Sequence, residues 1–522
     1  MTTLVPKYDQ GSTGAVNRAF NLKLAESVSV KDFGAVGDGT TNDTVAVQAA
    51  LASGKSVVFP LGSYLISTTL TLTTAGQMLI GTGGTLVRAS GAMEANVVLN
   101  ATSINNITFT GLKFAVATGT AHAQTGGFIG LSACNFVRVL DCVFDASRPG
   151  AGTNKESTFS LVNSGNCNHL LIQGNQFLYG LGNACGANNA AGSGENGVDV
   201  SIVGNSFYNM VDTGVGMWTN AHDITVTGNI FFRDDYSTAY NGVHIDVAGA
   251  QSATITGNSF TGNSMGIRLL TNLGYTDKLV TITGNTFQDQ YASSTEPATG
   301  IKVASYDNSA GGGDAHFNLI ITNNTFKVVS WGINLVSTIN PIDTNVLTVK
   351  IDSNLFDLSA AGATGVQFNS SPSYGYIKLS PSKNVFVGAG ASSGATGGVL
   401  PLGRGINGGQ EELAFQRSDF QFTGTTTTVL GSFYCGRGLY AMTAALGTCT
   451  DGGGVGGLLT PALKGGSNLL PADYPVINAA SSNSSFVYWY HVVTEGTHQM
   501  TFTPHVAGNT DNYWYLNFVR LI

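Results

Sequence analysis

Residues 280–287 read VTITGNTF, and this short pattern decides the fold because it returns along most of the chain. Close copies end at Phe177, Phe207, Phe231, Phe260 and Phe326, and looser copies end at Phe114, Phe144, Phe356 and Phe386. The interval between successive phenylalanines runs from 24 residues, Phe207 to Phe231, to 39 residues, Phe287 to Phe326. Such a period is typical of a solenoid, in which each copy builds one rung.

Each copy has the composition of a short strand followed by a tight bend. The alternation of Val, Ile and Thr predicts a strand with one buried face. The asparagine that follows tolerates the left-handed backbone of a bend, and the phenylalanine is expected to stack inside. A second short strand recurs as TGVGMW (213–218), NGVHIDV (241–247), MGIRLL (265–270), TGIKVA (299–304), WGINLV (331–336) and TGVQFN (364–369). These units are too short for propeller blades, so the sequence predicts an all-β parallel β-helix.

The composition excludes several classes of protein. Charged residues are 10% of the chain, hydrophobic residues are 43%, and the net charge is −8 without a basic block. This balance argues against a nucleic-acid partner. Every apolar run is shorter than the ~20 residues of a membrane span, so we expect no membrane insertion. The first residues lack the apolar core of a signal peptide, which predicts synthesis in the cytoplasm of the producing cell.

The cysteines indicate no metal centre. None of the six lies in a CxxC or Cys/His zinc spacing, so we expect buried reduced thiols and neither a metal nor another cofactor. The sequence leaves open whether Cys435 and Cys449 form a disulfide bond.

Changes of pattern predict the domain organisation. The segment NDTVAVQAALASG (42–54) predicts a helix, capped by Asn42 or Asp43 and stopped by Gly54. We expect a short docking segment over 1–27, a β-helix over 28–390 whose cap and first rung are 28–67, and a linker over 391–408. Aromatic alternating strands over 409–522 predict a C-terminal β-sandwich for trimerisation or carbohydrate binding.

Residues 28–67 read VSVKDFGAVGDGTTNDTVAVQAALASGKSVVFPLGSYLIS. This stretch resembles the opening of pectate-lyase-superfamily β-helices found in bacteriophage tailspikes and tail fibres. The resemblance implies a right-handed parallel β-helix, a homotrimer, and binding and usually cleavage of a bacterial surface polysaccharide. It also implies a virion protein of the phage tail that is made in the host cytoplasm and acts at the outer surface of the target bacterium. The motif is structural and implies no catalytic residue.

The resemblance bears on tail attachment as well. Fewer than 30 residues precede the motif, which is shorter than a large virion-anchoring domain. We therefore expect the N-terminal segment to dock onto the phage tail or onto another tail protein.

Aligning the second strands on their glycines predicts a surface column. Two residues after each glycine the chain has Gly216, His244, Arg268, Lys302, Asn334 and Gln367. Four residues after it the chain has Trp218, Asp246, Leu270, Ala304, Val336 and Asn369. We expect His244, Arg268 and Lys302 to form an outward column, with Asp246 beside His244 and Trp218 one rung before Asp246. The alternative is that these residues form an ordinary solvated surface without a function, and the sequence does not decide between the two.

Long loops flank this expected face and add candidate residues. The predicted catalytic residues are Asp246, His244, Arg268, Lys302, Asp235 and Glu296. The predicted substrate-binding residues are Trp218, Tyr240, Tyr275, Asp234 and Asn334. Functional residues are often found in the long loops of a regular scaffold. Exposed aromatic rings stack on the faces of sugar rings.

Two chemistries fit these residue types. Hydrolysis needs two carboxyl groups about 5–9.5 Å apart, and Asp246 with Asp234, Asp235 or Glu296 supplies candidates. β-Elimination of a uronate needs a cation and a base, which the His244, Arg268 and Lys302 column supplies. We favour a glycoside hydrolase slightly over a polysaccharide lyase. A non-catalytic receptor-binding fibre is the rival. A nucleophilic Ser/His/Asp esterase is a weaker third possibility, and the missing signal peptide disfavours a secreted pectinase.

Overall fold

The computed structural model of the chain divides it into two compact units, Met1–Asn263 and Ser264–Ile522. The structure describes residues 6–89, 96–117, 127–147, 160–180, 185–187, 198–210, 213–217, 221–234, 243–247, 252–262, 264–271, 278–289, 298–305, 316–327, 330–337, 346–358, 363–370, 377–379, 384–387 and 395–396, and eight further strands between 411 and 520. In this part of the chain no helix is both long and apolar enough to cross a membrane.

The first unit begins with small elements that lead into the repeat. Strands Lys7–Tyr8 and Arg18–Ala19 pair antiparallel. They are followed by helix Phe20–Leu24, strand Ser27–Ser29, a 3-10 turn Val30–Phe33, strand Asp38–Asn42, helix Thr44–Ala52, and strands Ser56–Ile66, Leu70–Leu72 and Met78–Arg88.

The motif of residues 28–67 is explained by contacts around Asp43. Its buried carboxylate accepts hydrogen bonds from the backbone N–H groups of Val36 and Gly37, at 2.7 and 3.0 Å. Gly37 has a left-handed backbone, and a Cβ there would lie 2.8 Å from the Tyr64 ring. Asn42, not Asp43, caps the predicted helix, because its Oδ1 accepts the N–H of Thr44 at 3.1 Å. These residues therefore fix the entry to the solenoid.

Each rung holds three strands, which we call a, b and c in chain order. In the first unit the a strands are Thr108–Thr110, Asn135–Leu140, Asn168–Gln173, Val198–Val203, His222–Thr227 and Ser252–Thr256. The b strands are Lys113–Val116, Val143–Asp145, Gln176–Leu178, Ser206–Tyr208, Ile230–Phe232 and Ser259–Thr261. The c strands are Val97–Thr102, Gly127–Ser132, Ser160–Gly165, Cys185–Ala187, Thr213–Met217 and Val243–Val247.

The second unit continues the same order of strands. Its c strands are Met265–Thr271, Thr299–Ser305, Trp331–Ser337, Thr364–Ser370 and Ala395–Thr396. Its a strands are Lys278–Thr283, His316–Thr322, Val346–Asp352 and Ile377–Leu379, and its b strands are Thr286–Gln288, Thr325–Lys327, Leu355–Asp357 and Val385–Val387.

Successive rungs pair in parallel, with equivalent residues level. Phe177 is level with Phe207, and Phe207 is level with Phe231. The rings of these three side chains stack with centroids 4.9 and 4.5 Å apart. The second unit has the same stack, with 4.8 Å from Phe287 to Phe326. The predicted parallel β-solenoid and its phenylalanine ladder are confirmed.

A buried asparagine ladder marks the bend between strands a and b. Asn205 donates from Nδ2 to Asn229 Oδ1 at 3.0 Å and to Ile172 O at 2.9 Å. The left-handed backbone belongs to the preceding residue, such as Gly204 or Gly228. The expectation that the ladder asparagine takes this conformation is therefore wrong. Glycine serves the left-handed bend, while asparagine pairs the rungs through its side-chain amide.

The C-terminal strands of the second unit are Glu411–Phe422, Thr428–Cys435, Gly438–Leu446, Val455–Leu463, Ile477–Ala479, Ser485–Val492, Gly496–Pro504 and Asn509–Arg520. They form two four-stranded antiparallel sheets. Their packing as a sandwich stays a prediction, and most of the predicted linker 391–408 lies outside the described residues.

The described cysteine thiols fit the expectation of unbridged sulfur atoms. Cys134, Cys142 and Cys167 are buried and form no disulfide bond. Of the expected C-terminal pair, the Cys435 side chain and Cys449 lie outside the described part.

Candidate functional site

The hydrogen-bond register of the c strands moves His244 away from its predicted column. Thr213 is level with Val243 and Gly216 is level with Asp246, so His244 is level with Gly214. The glycine alignment, which put His244 level with Gly216 and Asp246 level with Trp218, is wrong by two residues. The register follows the inward apolar residues, because Val215 and Ile245 are level and both are fully buried.

His244 also points into the protein, so the expectation that it faces solvent is wrong. It is 1% exposed, and its ring lies 5.4 Å from the Phe231 ring and 5.9 Å from the Phe260 ring, centroid to centroid. The reason is local geometry: a Cβ at Gly214 would lie 3.0 Å from Phe231. Side chains at this level of the strand therefore meet the phenylalanine ladder.

The surroundings keep His244 neutral. Nε2 donates a hydrogen bond to the Gly262 carbonyl oxygen at 3.0 Å, and Nδ1 has no partner among the described residues. Burial, together with the positive charge of Arg233, lowers the pKa of the imidazole to about 3. At neutral pH this ring is an uncharged acceptor and contributes no positive charge.

Asp246 is fully buried as well, which contradicts the outward position expected for it. Burial separates His244 and Asp246 from solvent, so direct contact with a polymer at the surface conflicts with this structure. A carboxylate in such a place acts on its neighbours through hydrogen bonds and charge.

The second unit keeps its part of the predicted column. Arg268 is level with Lys302, and Lys302 is level with Asn334. The two cationic side chains are partly exposed. Asn334 is buried, which contradicts the surface position expected of a substrate-binding residue, and its Oδ1 meets no hydrogen-bond partner within the described ranges. The level alignment of Arg268, Lys302 and Asn334, which we call the cationic column, is confirmed, and its two neighbouring cations suit an anionic ligand.

Asp234 belongs to a cluster of polar and aromatic side chains in the first unit. Asp234 is the one member of this cluster that the sequence analysis predicted as a site residue. Its Oδ2 accepts the Tyr208 hydroxyl proton at 2.9 Å, and its Oδ1 accepts Asn209 Nδ2 at 2.7 Å. The Asp234 N–H donates back to Asn209 Oδ1 at 2.9 Å. This reciprocal bonding fixes an exposed carboxylate at the end of strand b, where the chain leads towards strand c.

Partly exposed aromatic rings continue this cluster along the rungs. The Tyr208 ring stacks on Phe232 with centroids 5.4 Å apart, and Tyr179 meets Tyr208 edge-on at 5.5 Å. The hydrogen bond to Asp234 raises the pKa of Tyr208 to about 12, so its hydroxyl stays a donor. We call Tyr179, Tyr208, Phe232, Asn209 and Asp234 the platform. The signal in the sequence was the aromatic residue directly after the ladder phenylalanine in two successive rungs.

The remaining predicted site residues are not placed by the structure. Outside the described residues lie Trp218, Asp235, Tyr240, Tyr275 and Glu296. Their roles stay predictions.

The platform and the cationic column differ in the chemistry they offer. Aromatic faces stack on the C–H faces of sugar rings, and a fixed carboxylate accepts hydrogen bonds from hydroxyl groups. The cations of the column attract carboxylate groups. The platform therefore suits apolar faces and hydroxyl groups, and the cationic column suits carboxylate groups.

Comparison with known proteins identifies the class of the solenoid. The family described as "Rhamnogalacturonase A/epimerase, pectate lyase-like" matches residues 27–184. The A-module of a mannuronan C-5 epimerase from Azotobacter vinelandii has a similar structure, with a TM-score of 0.51 and 15% identity over 69% of this chain and 94% of that one. The likeness of the two structures shows the β-helix fold, and the family match covers residues 27–184.

The phage context has its own support. A tail spike protein of an Escherichia phage is 49% identical over 61 residues, which are 12% of this chain and 8% of that protein. A tailspike of bacteriophage HK620 has a TM-score of 0.46 and 13% identity, covering 99% of this chain and 97% of that one. The predicted resemblance to phage tailspikes is confirmed over the 61 residues that match the tail spike protein of the Escherichia phage.

Proposed function

We propose that this chain is a phage tailspike that binds and degrades a bacterial surface polysaccharide, such as a capsule, an exopolysaccharide or an O-antigen. The observation that carries the proposal is the platform. Its rings stack across rungs about 4.8 Å apart, and its carboxylate is held by Tyr208 and Asn209. A rigid aromatic surface with one fixed acceptor is what recognition of a sugar chain requires.

Hydrolysis is the chemistry that we favour. Asp234 supplies one ordered, exposed carboxylate, and Asp235 and Glu296 are the candidates for the second. The burial of Asp246 and His244 argues that these two residues position the site and do not contact sugar. In a hydrolase one carboxyl group would protonate the leaving oxygen while the other activates water or attacks the sugar.

A lyase is the second candidate, and the cationic column favours it. Arg268 and Lys302 lie level on neighbouring strands, where they would neutralise the carboxylate of a uronate. Neutralisation lowers the cost of removing the C5 proton; a separate neutral base then takes that proton, the C4–O bond breaks, and the departing oxygen is protonated. A fibre that only binds would use the same surfaces without cleavage.

One assay separates the three possibilities. The full-length protein is incubated with purified surface polysaccharide from susceptible bacteria, while new reducing ends and the ultraviolet absorbance of an unsaturated uronate are followed together. Reducing ends alone indicate hydrolysis, and both signals indicate a lyase. Binding without either signal indicates a receptor-binding fibre and refutes the degradative function.

Two variants test the platform within the same assay. Asp234→Asn removes the charge that accepts the Tyr208 proton, and we expect a loss of at least tenfold in kcat/KM. Asp289→Asn, at another exposed aspartate, is the matched control and should retain wild-type activity. Equal activity of both variants would exclude Asp234 from the site.

Attachment and assembly complete the proposal. We propose that residues 1–27 dock onto the tail and that residues 409–522 serve trimerisation or carbohydrate binding in a homotrimer. The N-terminal segment exposes Val16, Phe20, Leu22 and Leu24, which is unusual for unpartnered apolar side chains. A Leu22→Asp, Leu24→Asp variant should keep its activity in solution but fail to enter virions. Normal incorporation would refute the docking role.

A further inference from the structure

A row of exposed side chains runs along the start of the a strands, away from the bend. It comprises the second residue of four successive a strands, namely Phe136, His169, Asp199 and Asp223. The registers Asn135 with Asn168, Leu170 with Val200 and Val200 with Ile224 put these four residues level. We call them the a-strand row.

The row is exposed and is held by its own contacts. Phe136 is 54% exposed, and its ring stacks on His169 with centroids 4.5 Å apart and planes 6° from parallel. His169 Nδ1 donates to Asp199 Oδ2 at 2.8 Å. Asp223 accepts from His222 Nδ1 at 3.0 Å, and this bond lowers the pKa of its carboxyl. The side chains are therefore ordered before any ligand arrives.

The backbone shows that Phe136 serves neither the turn nor the core. All four residues of the row have left-handed backbones, with φ between 55° and 58°. Asn106, one rung before Phe136, has φ 62°, and asparagine and aspartate suit this conformation far better than phenylalanine does. A bulky ring that is both strained and exposed points to a contact outside the chain.

We infer that the a-strand row is a second saccharide-binding surface, which holds a neutral, hydroxyl-rich stretch of the glycan. The inference rests on the proposed function and adds a site that is separate from the platform. The Phe136 ring offers an apolar face for a sugar ring, and Asp199 and Asp223 accept hydroxyl protons. These carboxylates would repel an acidic stretch, which the cationic column of the second unit suits.

The substitution that tests this inference takes its residue type from the neighbouring rung. Phe136→Asn places the residue of the preceding rung, Asn106, at this turn, so the variant should fold at least as well as the wild type. We expect binding of the long polysaccharide to weaken roughly 2- to 12-fold, the range for losing one aromatic contact. The turnover of short oligosaccharides that fill only the platform should not change.

The controls separate the possible failures. Val45→Asn removes another exposed apolar side chain and should leave binding unchanged. Wild-type binding by Phe136→Asn, a lower melting temperature, or dissociation of the oligomer would each overturn the inference while the proposed function stands. If the wild type binds no surface polysaccharide of susceptible bacteria, the proposed function fails and this inference fails with it.

Discussion

Acid should destabilise this protein through His244 more than through any exposed histidine. The buried ring has a pKa of about 3, against an ordinary value of 6.5. Between these two pH values, His244 therefore binds a proton in the unfolded chain and not in the folded chain. The stabilising contribution is complete above pH 6.5 and is lost as the pH falls from 6.5 towards 3.

The size of the effect follows from the two pKa values. Each pH unit well inside that window costs about 1.4 kcal/mol, so lowering the pH from 6.5 to 4.5 should remove roughly 2 kcal/mol of unfolding free energy through His244 alone. Carboxyl groups add a background that both wild type and variants share. The quantity to compare is therefore the difference in pH dependence between proteins.

His244→Gly is the variant to use, because glycine occupies the level position at Gly214. It should unfold at lower urea concentration than the wild type at pH 7.5 and lose less stability between pH 6.5 and 4.5. The control Val45→Asn, at an exposed residue, leaves every histidine in place and should keep the wild-type pH dependence.

Nuclear magnetic resonance tests the same reasoning directly. One of the eight histidine ring signals should stay in its neutral position down to pH 4, and this signal should be absent from His244→Gly. If all eight signals titrate near pH 6.5, His244 is not buried and the argument is refuted.

Three further predictions concern the platform, the ladder and the column. Tyr208→Phe removes the hydroxyl that Asp234 accepts and should raise KM several-fold with little change in melting temperature, whereas an unchanged KM would count against the platform. Asn205→Ala removes the side-chain hydrogen bonds to Asn175 and Ile172 on one neighbouring rung and to Asn229 on the other and should cost about 3 kcal/mol or more in urea unfolding; a cost below about 1 kcal/mol would contradict the ladder's role. Lys302→Met should weaken binding of an acidic glycan and flatten its salt dependence, and an unaltered salt dependence would remove the column from the site.

Much of the fold could be read from local pattern. The asparagine and phenylalanine of each repeat are two residues apart. This spacing predicts a strand, a bend and an inward-pointing ring at the same time. The helix over Thr44–Ala52 followed from its cap and its spacing. In the candidate site, the level alignment of Arg268, Lys302 and Asn334 was predicted correctly because the glycines at the second positions of their c strands are level.

The sequence by itself therefore determined the parallel solenoid, since a repeat that buries one ring per rung is stable only when its copies stack. Tertiary structure alone decided the register at His244. The loop between strands b and c changes length from rung to rung, so the position of a glycine did not predict which residues are level. The register is set by the packing of Val215 next to Ile245 and of the His244 ring against Phe231. In this register the His244 side chain points inward. The pairing of Tyr208 with Asp234, 26 residues apart, likewise existed only once neighbouring rungs had stacked.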